Sequence, residues 1–158
     1  MTNLHEDRTI WITGAASGIG KAAAEEILSE GGCVVGSDLP TADFSWAEGV
    51  DNMRCVTGSV SDVAHNALAV ETAVSEFGHL DGAVLNAGMA GRIDLFDGDM
   101  EFFDEVMDVN VRAVILGIRA CASAMRPGSA ITVTASTSGM RGDPGMWVYN
   151  TSKAAVIN

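Results

Sequence analysis

The chain has 158 residues, of which 47% are hydrophobic and 18 are glycine, so it can bury the core of one domain. This composition is typical of a compact α/β domain with many tight turns. The net charge of −12, from 9 basic and 21 acidic residues, argues against a nucleic-acid partner, because binding a phosphate backbone needs clustered lysine and arginine.

Nothing in the sequence predicts export or membrane insertion. Residues 1–8 are polar and lack the apolar core of a signal peptide, and no apolar run approaches the length of a membrane span. The cysteines are odd in number and widely spaced, so we expect buried thiols in a reducing compartment: Cys33, Cys55 and Cys121. The histidines are isolated and are expected at the surface: His5, His65 and His79. We therefore predict a cytoplasmic protein with no membrane partner and no metal site.

Short apolar runs alternate with helical segments along the chain. The runs predict strands at 9–13, 33–38, 53–57, 81–86 and 129–135. The intervening segments predict helices at 18–30, 62–77 and 100–125, and a last helix that bears Tyr149. Strands that alternate with helices predict a parallel sheet covered on both faces. With short, right-handed connections, this is a single α/β domain over 1–158, doubly wound and Rossmann-like.

The predicted helix over 100–125 is apolar on more than one side. Its apolar residues cannot all face one sheet: Phe102, Phe103, Val106, Met107, Val109, Val114, Leu116 and Ile118. Such a helix is either deeply buried or packed on a partner as well. We expect a homo-oligomer, a dimer or a tetramer, in which this helix and the helix at Tyr149 pair with their symmetry mates.

A glycine-rich turn separates the first predicted strand from the first predicted helix. It reads Thr-Gly-Ala-Ala-Ser-Gly-Ile-Gly over 13–20. Glycines there permit a tight turn and a close approach of the backbone to a pyrophosphate. The helix N-terminus then directs free N–H groups and partial positive charge at the phosphates. In this strand–turn–helix context the turn predicts nucleotide binding, against the alternative of a purely structural turn.

Asp38 ends the second predicted strand, 18 residues after Gly20. A carboxylate there can accept hydrogen bonds from the adenosine ribose hydroxyls and would repel a 2′-phosphate. No arginine or lysine occupies 15–17 or 39, so NAD is favoured over NADP. The alternative is an ordinary turn acid at a strand end. Asp62, with Val63, could bind the adenine amino group or could serve only as a helix N-cap, and the sequence leaves both open.

Tyr149 and Lys153 lie four residues apart, so on a helix their side chains project from the same face. An ammonium beside a phenol favours the phenolate, so the tyrosine pKa of about 10 can fall toward neutrality. A phenol tuned in this way can exchange a proton with a substrate hydroxyl. A solvated helix face is the alternative, but this tyrosine is the only one in the chain.

Together these residues resemble the motifs of the short-chain dehydrogenase/reductase family. The segment 13–20 matches the Thr-Gly-x-x-x-Gly-x-Gly spacing, and 149–153 matches Tyr-x-x-x-Lys. Asn86, Ala87 and Gly88 match the end of the Asn-Asn-Ala-Gly motif, although Leu85 replaces its first asparagine. Ser136 lies 13 residues before Tyr149, the interval of the family's serine and tyrosine, and Asn110 falls where the family keeps an asparagine.

The resemblance implies a role for each of these residues. Tyr149 would be the general acid/base, and Lys153 would lower its pKa and bind the nicotinamide ribose. Ser136, with Ser138 as a competing candidate, would hydrogen-bond the reacting oxygen. Asn110 would hold a water that relays protons from Lys153, or would only satisfy helix backbone. The residues expected to bind the cofactor are Gly14, Ser17, Gly18, Ile19, Gly20, Asp38, Leu39, Asp62, Val63, Asn86, Ala87, Gly88, Tyr149 and Lys153.

The implied activity is an NAD(P)-dependent oxidoreductase, with NAD preferred, that interconverts a secondary alcohol and a ketone by hydride transfer. Relatives continue with the rest of the last helix, a sixth strand, a substrate-covering segment and a seventh strand. We therefore expect an incomplete domain, truncated at its C-terminus, whose fifth strand is a potential bare edge carrying Ile131 and Val133. The alternative function is a nucleotide-binding module without turnover.

Overall fold

A computed structural model describes residues 3–158, so the first two residues of the polar N-terminal segment lie outside the described residues. The strands are β1 Thr9–Thr13, β2 Cys33–Asp38, β3 Met53–Thr57, β4 Leu80–Leu85 and β5 Met125–Val133. The helices are α1 Gly18–Ser29, α2 Val63–Phe77, α3 Met100–Met107, α4 Ala113–Ala122, α5 Ser138–Arg141 and α6 Trp147–Ile157. A 3-10 turn covers Ser45–Ala47, and a π-helical segment covers Asp108–Arg112.

The five strands form one sheet in the order β3-β2-β1-β4-β5, and every neighbouring pair is parallel. The direction of the strand order reverses at β1, because the chain moves outward to β3 and then crosses to β4. In such sheets a ligand binds outside the carboxyl ends of the strands, at this reversal. The predicted doubly wound, Rossmann-like fold is confirmed.

The core occupies both faces of the sheet, which explains why the central strands are continuous apolar runs. On one face Trp11 and Val35 pack with Ala69 of α2 and Cys121 of α4. On the other face Ile12 and Val34 pack against α1, and these residues form a second buried cluster with others: Ile10, Ala15, Ala24, Ile27, Ala47 and Met53. Alternate strand residues therefore point to opposite layers of helices.

The long helix predicted over 100–125 is a continuous helical run in three parts, α3, the π-helical segment and α4. One side is buried through Val106, Ala113 and Cys121, while Ile115 and Ile118 on α4 remain exposed. The helix ends at Ala122, earlier than predicted, because β5 begins at Met125. π-Helical segments inside α-helices often occur at functional sites, and this one contains Asn110.

Strand β5 begins and ends earlier than the sequence predicts. It runs through Pro127, which is tolerated because an edge strand can leave one N–H side unpaired. The register to β4 shifts near this point, between Leu80 and Gly82. Within residues 3–158, β5 pairs only with β4, so Ile131 and Val133 lie on an edge strand, where they are half-buried.

The predicted exposure of His65 and the predicted burial of Cys55 are both wrong. His65 is buried, with 6% of its surface exposed, because α2 packs it beneath Gly58 at the end of β3. Burial lowers the pKa of His65 by penalising its charged form, while the nearby Asp62 opposes this shift. Cys55 is exposed on β3 rather than buried, because β3 is the opposite edge of the sheet.

Candidate functional site

The glycine-rich loop between β1 and α1 is held by close backbone contacts. Gly14 and Gly18 have positive φ angles of 69° and 54°, a region that favours glycine. A Cβ on Gly20 would lie 2.1 Å from the carbonyl oxygen of Gly14, so this position has no room for a side chain. The amide of Gly14 donates to the Ser37 carbonyl at 2.8 Å, which ties the loop to the end of β2.

The Asp38 carboxylate is oriented by two backbone amides. Oδ2 accepts from the Ala16 N–H at 2.9 Å, and Oδ1 accepts from the Leu39 N–H at 2.8 Å. Asp38 therefore links the end of β2 to the glycine-rich loop. Each oxygen retains a second lone pair that can accept a hydrogen bond from a hydroxyl.

A groove of about 700 Å³ lies at the carboxyl ends of the strands. Most of the residues predicted to bind the cofactor line it. The glycine-rich loop contributes Gly14, Ser17, Gly18 and Ile19; the end of β2 contributes Asp38, which Leu39 follows; and the segment directly after β4 contributes Asn86, Ala87 and Gly88. Gly20 does not line the groove; its lack of a side chain lets the Gly14 carbonyl pack against it.

Asp62 and Val63 lie outside the groove, although the sequence left an adenine contact open for them. Asp62 Oδ1 accepts from the Ala64 N–H at 2.9 Å and is the N-cap of α2. The groove is lined instead by the residues directly after β3, Gly58 to Ser61. Sequence reasoning missed this segment, although its position after a parallel strand was a usable signal. The Ser61 hydroxyl is buried there without a hydrogen-bond partner among residues 3–158.

Asn86 connects the ends of three strands. Its amide N–H donates to Thr13 Oγ1 at 2.9 Å, and its Nδ2 donates to the Thr13 carbonyl at 3.2 Å. Its Oδ1 accepts from Thr134 Oγ1 at 3.1 Å, just beyond β5. The ends of β1, β4 and β5 are therefore held together beneath the groove.

Tyr149 and Lys153 are brought together on α6, as their spacing predicts. Lys153 Nζ lies 5.8 Å from the centroid of the Tyr149 ring. Lys153 is 5% exposed, and its Nζ donates to the Thr134 carbonyl at 2.6 Å. Burial lowers the pKa of Lys153, because desolvation penalises the charged amine.

The contacts of Ser136 and Ser138 distinguish the two candidate serines. The Ser138 hydroxyl donates to the Asp143 carboxylate, so it is already engaged. Ser136 Oγ accepts from the Ser138 amide at 3.1 Å, and the hydrogen of its own hydroxyl can still be donated. Ser136 is thus better placed than Ser138 to donate to a ligand.

Asn110 is fully buried within the π-helical segment. Its Oδ1 accepts from the Met89 amide at 2.8 Å, and its Nδ2 donates to the Met89 carbonyl and to Ser152 Oγ, both at 2.9 Å. Asn110 therefore joins the loop after β4 to α6. Its side chain bonds to these two other segments and not only to the backbone of its own helix.

Gly88 lies between the groove and the buried side chains of Asn110 and Lys153. Gly88 lines the groove, and a Cβ placed on it would lie 3.2 Å from Asn110 Oδ1 and 3.5 Å from Lys153 Nζ. Asn110 and Lys153 therefore approach the same glycine from two helices. The Lys153 amine thus lies next to the end of the groove that Gly88 lines, with the Tyr149 ring beside it on α6.

The family model described as short chain dehydrogenase matches residues 8–158. The chain belongs to this family. It is 35% identical over 161 residues to a 2-(R)-hydroxypropyl-CoM dehydrogenase of Xanthobacter autotrophicus, covering 95% of this chain and 64% of the relative. It is 31% identical to a 2-dehydro-3-deoxy-L-rhamnonate dehydrogenase (NAD(+)) of a Sphingomonas species, covering 92% of this chain and 60% of the relative.

Solved structures of the family have the same fold. A short chain dehydrogenase from Burkholderia cenocepacia, in complex with NADP, superposes with a TM-score of 0.89 at 31% identity. The match covers 96% of this chain and 65% of that one. The chain thus spans somewhat less than two thirds of the length of these relatives.

Proposed function

We propose that the chain is the cofactor-binding and catalytic part of an NAD-dependent oxidoreductase that interconverts a secondary alcohol and a ketone. The observation that carries the proposal is that Lys153, with Tyr149 beside it on α6, lies next to Gly88 of the groove lining. The 2-hydroxypropyl group in the name of the Xanthobacter relative is a secondary alcohol, which agrees with this substrate class.

The groove residues fit a dinucleotide. The glycine-rich loop has no room for a Cβ at Gly20, and α1 directs its free N–H groups toward the space above the loop. Asp38 offers carboxylate lone pairs to ribose hydroxyls at one end. Lys153 approaches the groove at the other end, where it would bind the nicotinamide ribose. When bound, the nicotinamide supplies the hydride chemistry.

Side chains of this chain would carry out the proton transfer and stabilise the charge on the reacting oxygen. Tyr149 takes the hydroxyl proton during oxidation, or gives a proton to the carbonyl oxygen during reduction. Ser136 donates a hydrogen bond to the same oxygen and stabilises the charge that develops there. Asn110 and Lys153 flank Gly88, where a bound water would connect them and carry the proton onward.

We favour NAD over NADP because of the charges beyond Asp38. Asp38 and Asp43 line the same small cavity beside the groove, and both would repel a 2′-phosphate. Lys21, in the first turns of α1, lines this cavity too. Its ammonium lies 3.8 Å from a Glu25 carboxylate oxygen and 5.5 Å from the centroid of the Trp46 ring. The lining of this cavity therefore sets two carboxylates, Asp38 and Asp43, against the single ammonium of Lys21.

A nucleotide-binding module without turnover is the second candidate function. The chain spans 64% of the length of the Xanthobacter relative, so the rest of that longer protein has no counterpart within it. The two candidates differ in turnover but not in cofactor binding.

Cofactor fluorescence and an oxidation assay separate the two candidates. We expect NADH to bind and a panel of secondary alcohols to be oxidised with NAD. Binding without turnover would support the module, and the absence of NADH binding would contradict both. Lys153→Met, which removes the proposed ribose contact, should weaken NADH binding, whereas Lys21→Met should leave it close to wild type.

We also propose a homo-oligomer and a reducing, cytoplasmic location. Ile115 and Ile118 form an exposed apolar surface on α4, which an isologous contact would bury. The three cysteines are free thiols, as expected in a reducing compartment. Among residues 3–158, every helix is too short or too polar to span a bilayer. Sedimentation at micromolar concentration tests the oligomer, and a monomer there would contradict it.

A further inference from the structure

We propose that Asp143 is a positioning residue that acts through Ser138 to orient the hydroxyl of Ser136. The inference rests on the proposed function, because it assigns a role in the same site. Asp143 lies in the loop between α5 and α6, outside the motifs that carry the family resemblance.

The first arm of this arrangement runs from Asp143 to Ser136. The Asp143 carboxylate accepts a hydrogen bond from the hydroxyl of Ser138, which is 8% exposed. The Ser138 amide in turn donates to Ser136 Oγ at 3.1 Å. Because that amide occupies an acceptor site on Ser136, the serine hydroxyl is directed to donate its own hydrogen elsewhere. Donation to the reacting oxygen is the role proposed for it.

The second arm runs from the Asp143 backbone to the helix that bears Tyr149. The Asp143 carbonyl accepts from Asn150 Nδ2 at 2.9 Å and from the Met146 amide at 3.1 Å. Met146 is the N-cap of α6, and Asn150 is the neighbour of Tyr149. One residue thus holds both the serine and the start of the tyrosine helix.

Gly139 allows the turn that contains Ser138 to lie close to helix α6. A Cβ on Gly139 would lie 2.6 Å from the Lys153 carbonyl carbon and 2.7 Å from the Ala154 amide nitrogen. The turn that contains Ser138 therefore packs directly on the backbone of α6. In so close a contact, small displacements of the turn change the distance between Ser136 and Tyr149, which matters because catalysis depends on their alignment.

The other partner of the Asp143 carboxylate serves as the control. Arg141 Nη2 lies 3.6 Å from Asp143 Oδ1, and the Arg141 side chain is 71% exposed. An exposed ion pair of this kind contributes little, because water and salt screen it. The partly buried contact to Ser138 is the one that should affect catalysis.

Steady-state kinetics of Asp143 and Ser138 variants test the proposal. Asp143→Ala should lower kcat about tenfold, the loss expected for one misaligned hydrogen bond, and leave the KM for NAD unchanged. Asp143→Asn keeps an acceptor for Ser138 and should retain most of the wild-type kcat. Ser138→Ala should match Asp143→Ala, and the double variant should be no worse than either single one. Arg141→Ala should behave as wild type.

Hydrogen exchange at the Ser138 amide provides a readout that needs no turnover. We expect about tenfold faster exchange at Ser138 in Asp143→Ala, with the β1 and β4 amides unchanged. Unchanged exchange at Ser138 would overturn the proposal, and so would faster exchange with an unchanged kcat. If the wild-type chain shows no turnover, the proposed function fails, whereas the exchange rate still decides whether Asp143 orders Ser138.

Discussion

Lys153 Nζ donates a hydrogen bond to the backbone carbonyl of Thr134 at 2.6 Å, and this contact joins helix α6 to the residue that follows β5. Thr134 also donates through Oγ1 to Asn86 Oδ1, so the lysine is connected to the ends of three parallel strands. The amine is therefore held by the sheet itself. A side chain fixed in this way can meet a cofactor and Tyr149 without reordering.

The Tyr149→Phe variant should lose turnover and keep cofactor binding. Removing the phenol hydroxyl removes the proposed acid/base, whose loss lowers kcat by about 10²–10⁴-fold. Because the variant keeps the groove lining and the proposed Lys153 contact to the nicotinamide ribose, NADH fluorescence should still report binding. Turnover near the wild-type rate would contradict the assignment of Tyr149.

The Asp38→Arg variant should shift the cofactor preference from NAD toward NADP. The substitution removes the carboxylate that would accept from the ribose and supplies a cation for the 2′-phosphate. Asp38→Asn is the matched control, since it can still accept from the Ala16 amide but lacks the charge. The measurement is the ratio of kcat/KM with NAD to kcat/KM with NADP. We expect Asp38→Asn to lower this ratio and Asp38→Arg to reverse the preference. An unchanged ratio in Asp38→Arg would show that the ribose assignment is wrong.

The Gly20→Ala variant should destabilise the chain and weaken NADH binding together. Its Cβ would meet the Gly14 carbonyl, and such overpacking costs about 1–3 kcal/mol in the free energy of unfolding. Gly49→Ala is the control: it has a positive φ of 76°, open space around it and a place outside the groove. Gly49→Ala should lower the free energy of unfolding but leave NADH binding unchanged. Full NADH affinity in Gly20→Ala would contradict the role given to the loop.

The Asp81→Asn variant should alter how stability depends on pH. Burial alone would raise the Asp81 pKa, but a hydrogen bond from the Thr9 amide and the charged groups of Arg126 and His79 lower it below the ordinary value. A lowered pKa in the folded state adds stability that is complete above the unfolded value of about 3.9 and is lost as the pH falls through the folded value. This carboxylate joins β1, β4 and β5.

Urea unfolding across a pH series measures the effect of Asp81→Asn. At neutral pH the variant should lose about 1–3 kcal/mol, because the buried hydrogen bonds to a charged acceptor are weakened. The difference from wild type should begin to shrink below a pH of about 4, where Asp81 becomes protonated in the unfolded chain, and should be lost as the pH falls through the lowered pKa of the folded state. Asp51→Asn, at an exposed position, should show neither effect. A difference that is constant with pH would contradict the prediction.

The local patterns of the sequence predicted most of the fold. The apolar runs at β1 and β2 and the helix of α1 agree with the structure because each depends on neighbouring residues and on nearby glycines. Strand β5 was misplaced because Pro127 and Gly128 indicate a turn locally, whereas pairing with β4 extends the strand through them. His65 was misplaced for a similar reason: its burial depends on Gly58 at the end of another element.

The sequence by itself determined the parallel α/β fold, the glycine-rich loop and the spacing of Tyr149 and Lys153, because turn chemistry and helical periodicity act over a few residues. Only the tertiary structure decided which residues after β3 line the groove, that Asn110 joins Met89 to Ser152, and that Asp143 holds Ser138. The physical reason is that these contacts need specific distances between elements. Such distances arise only when the helices pack on the sheet.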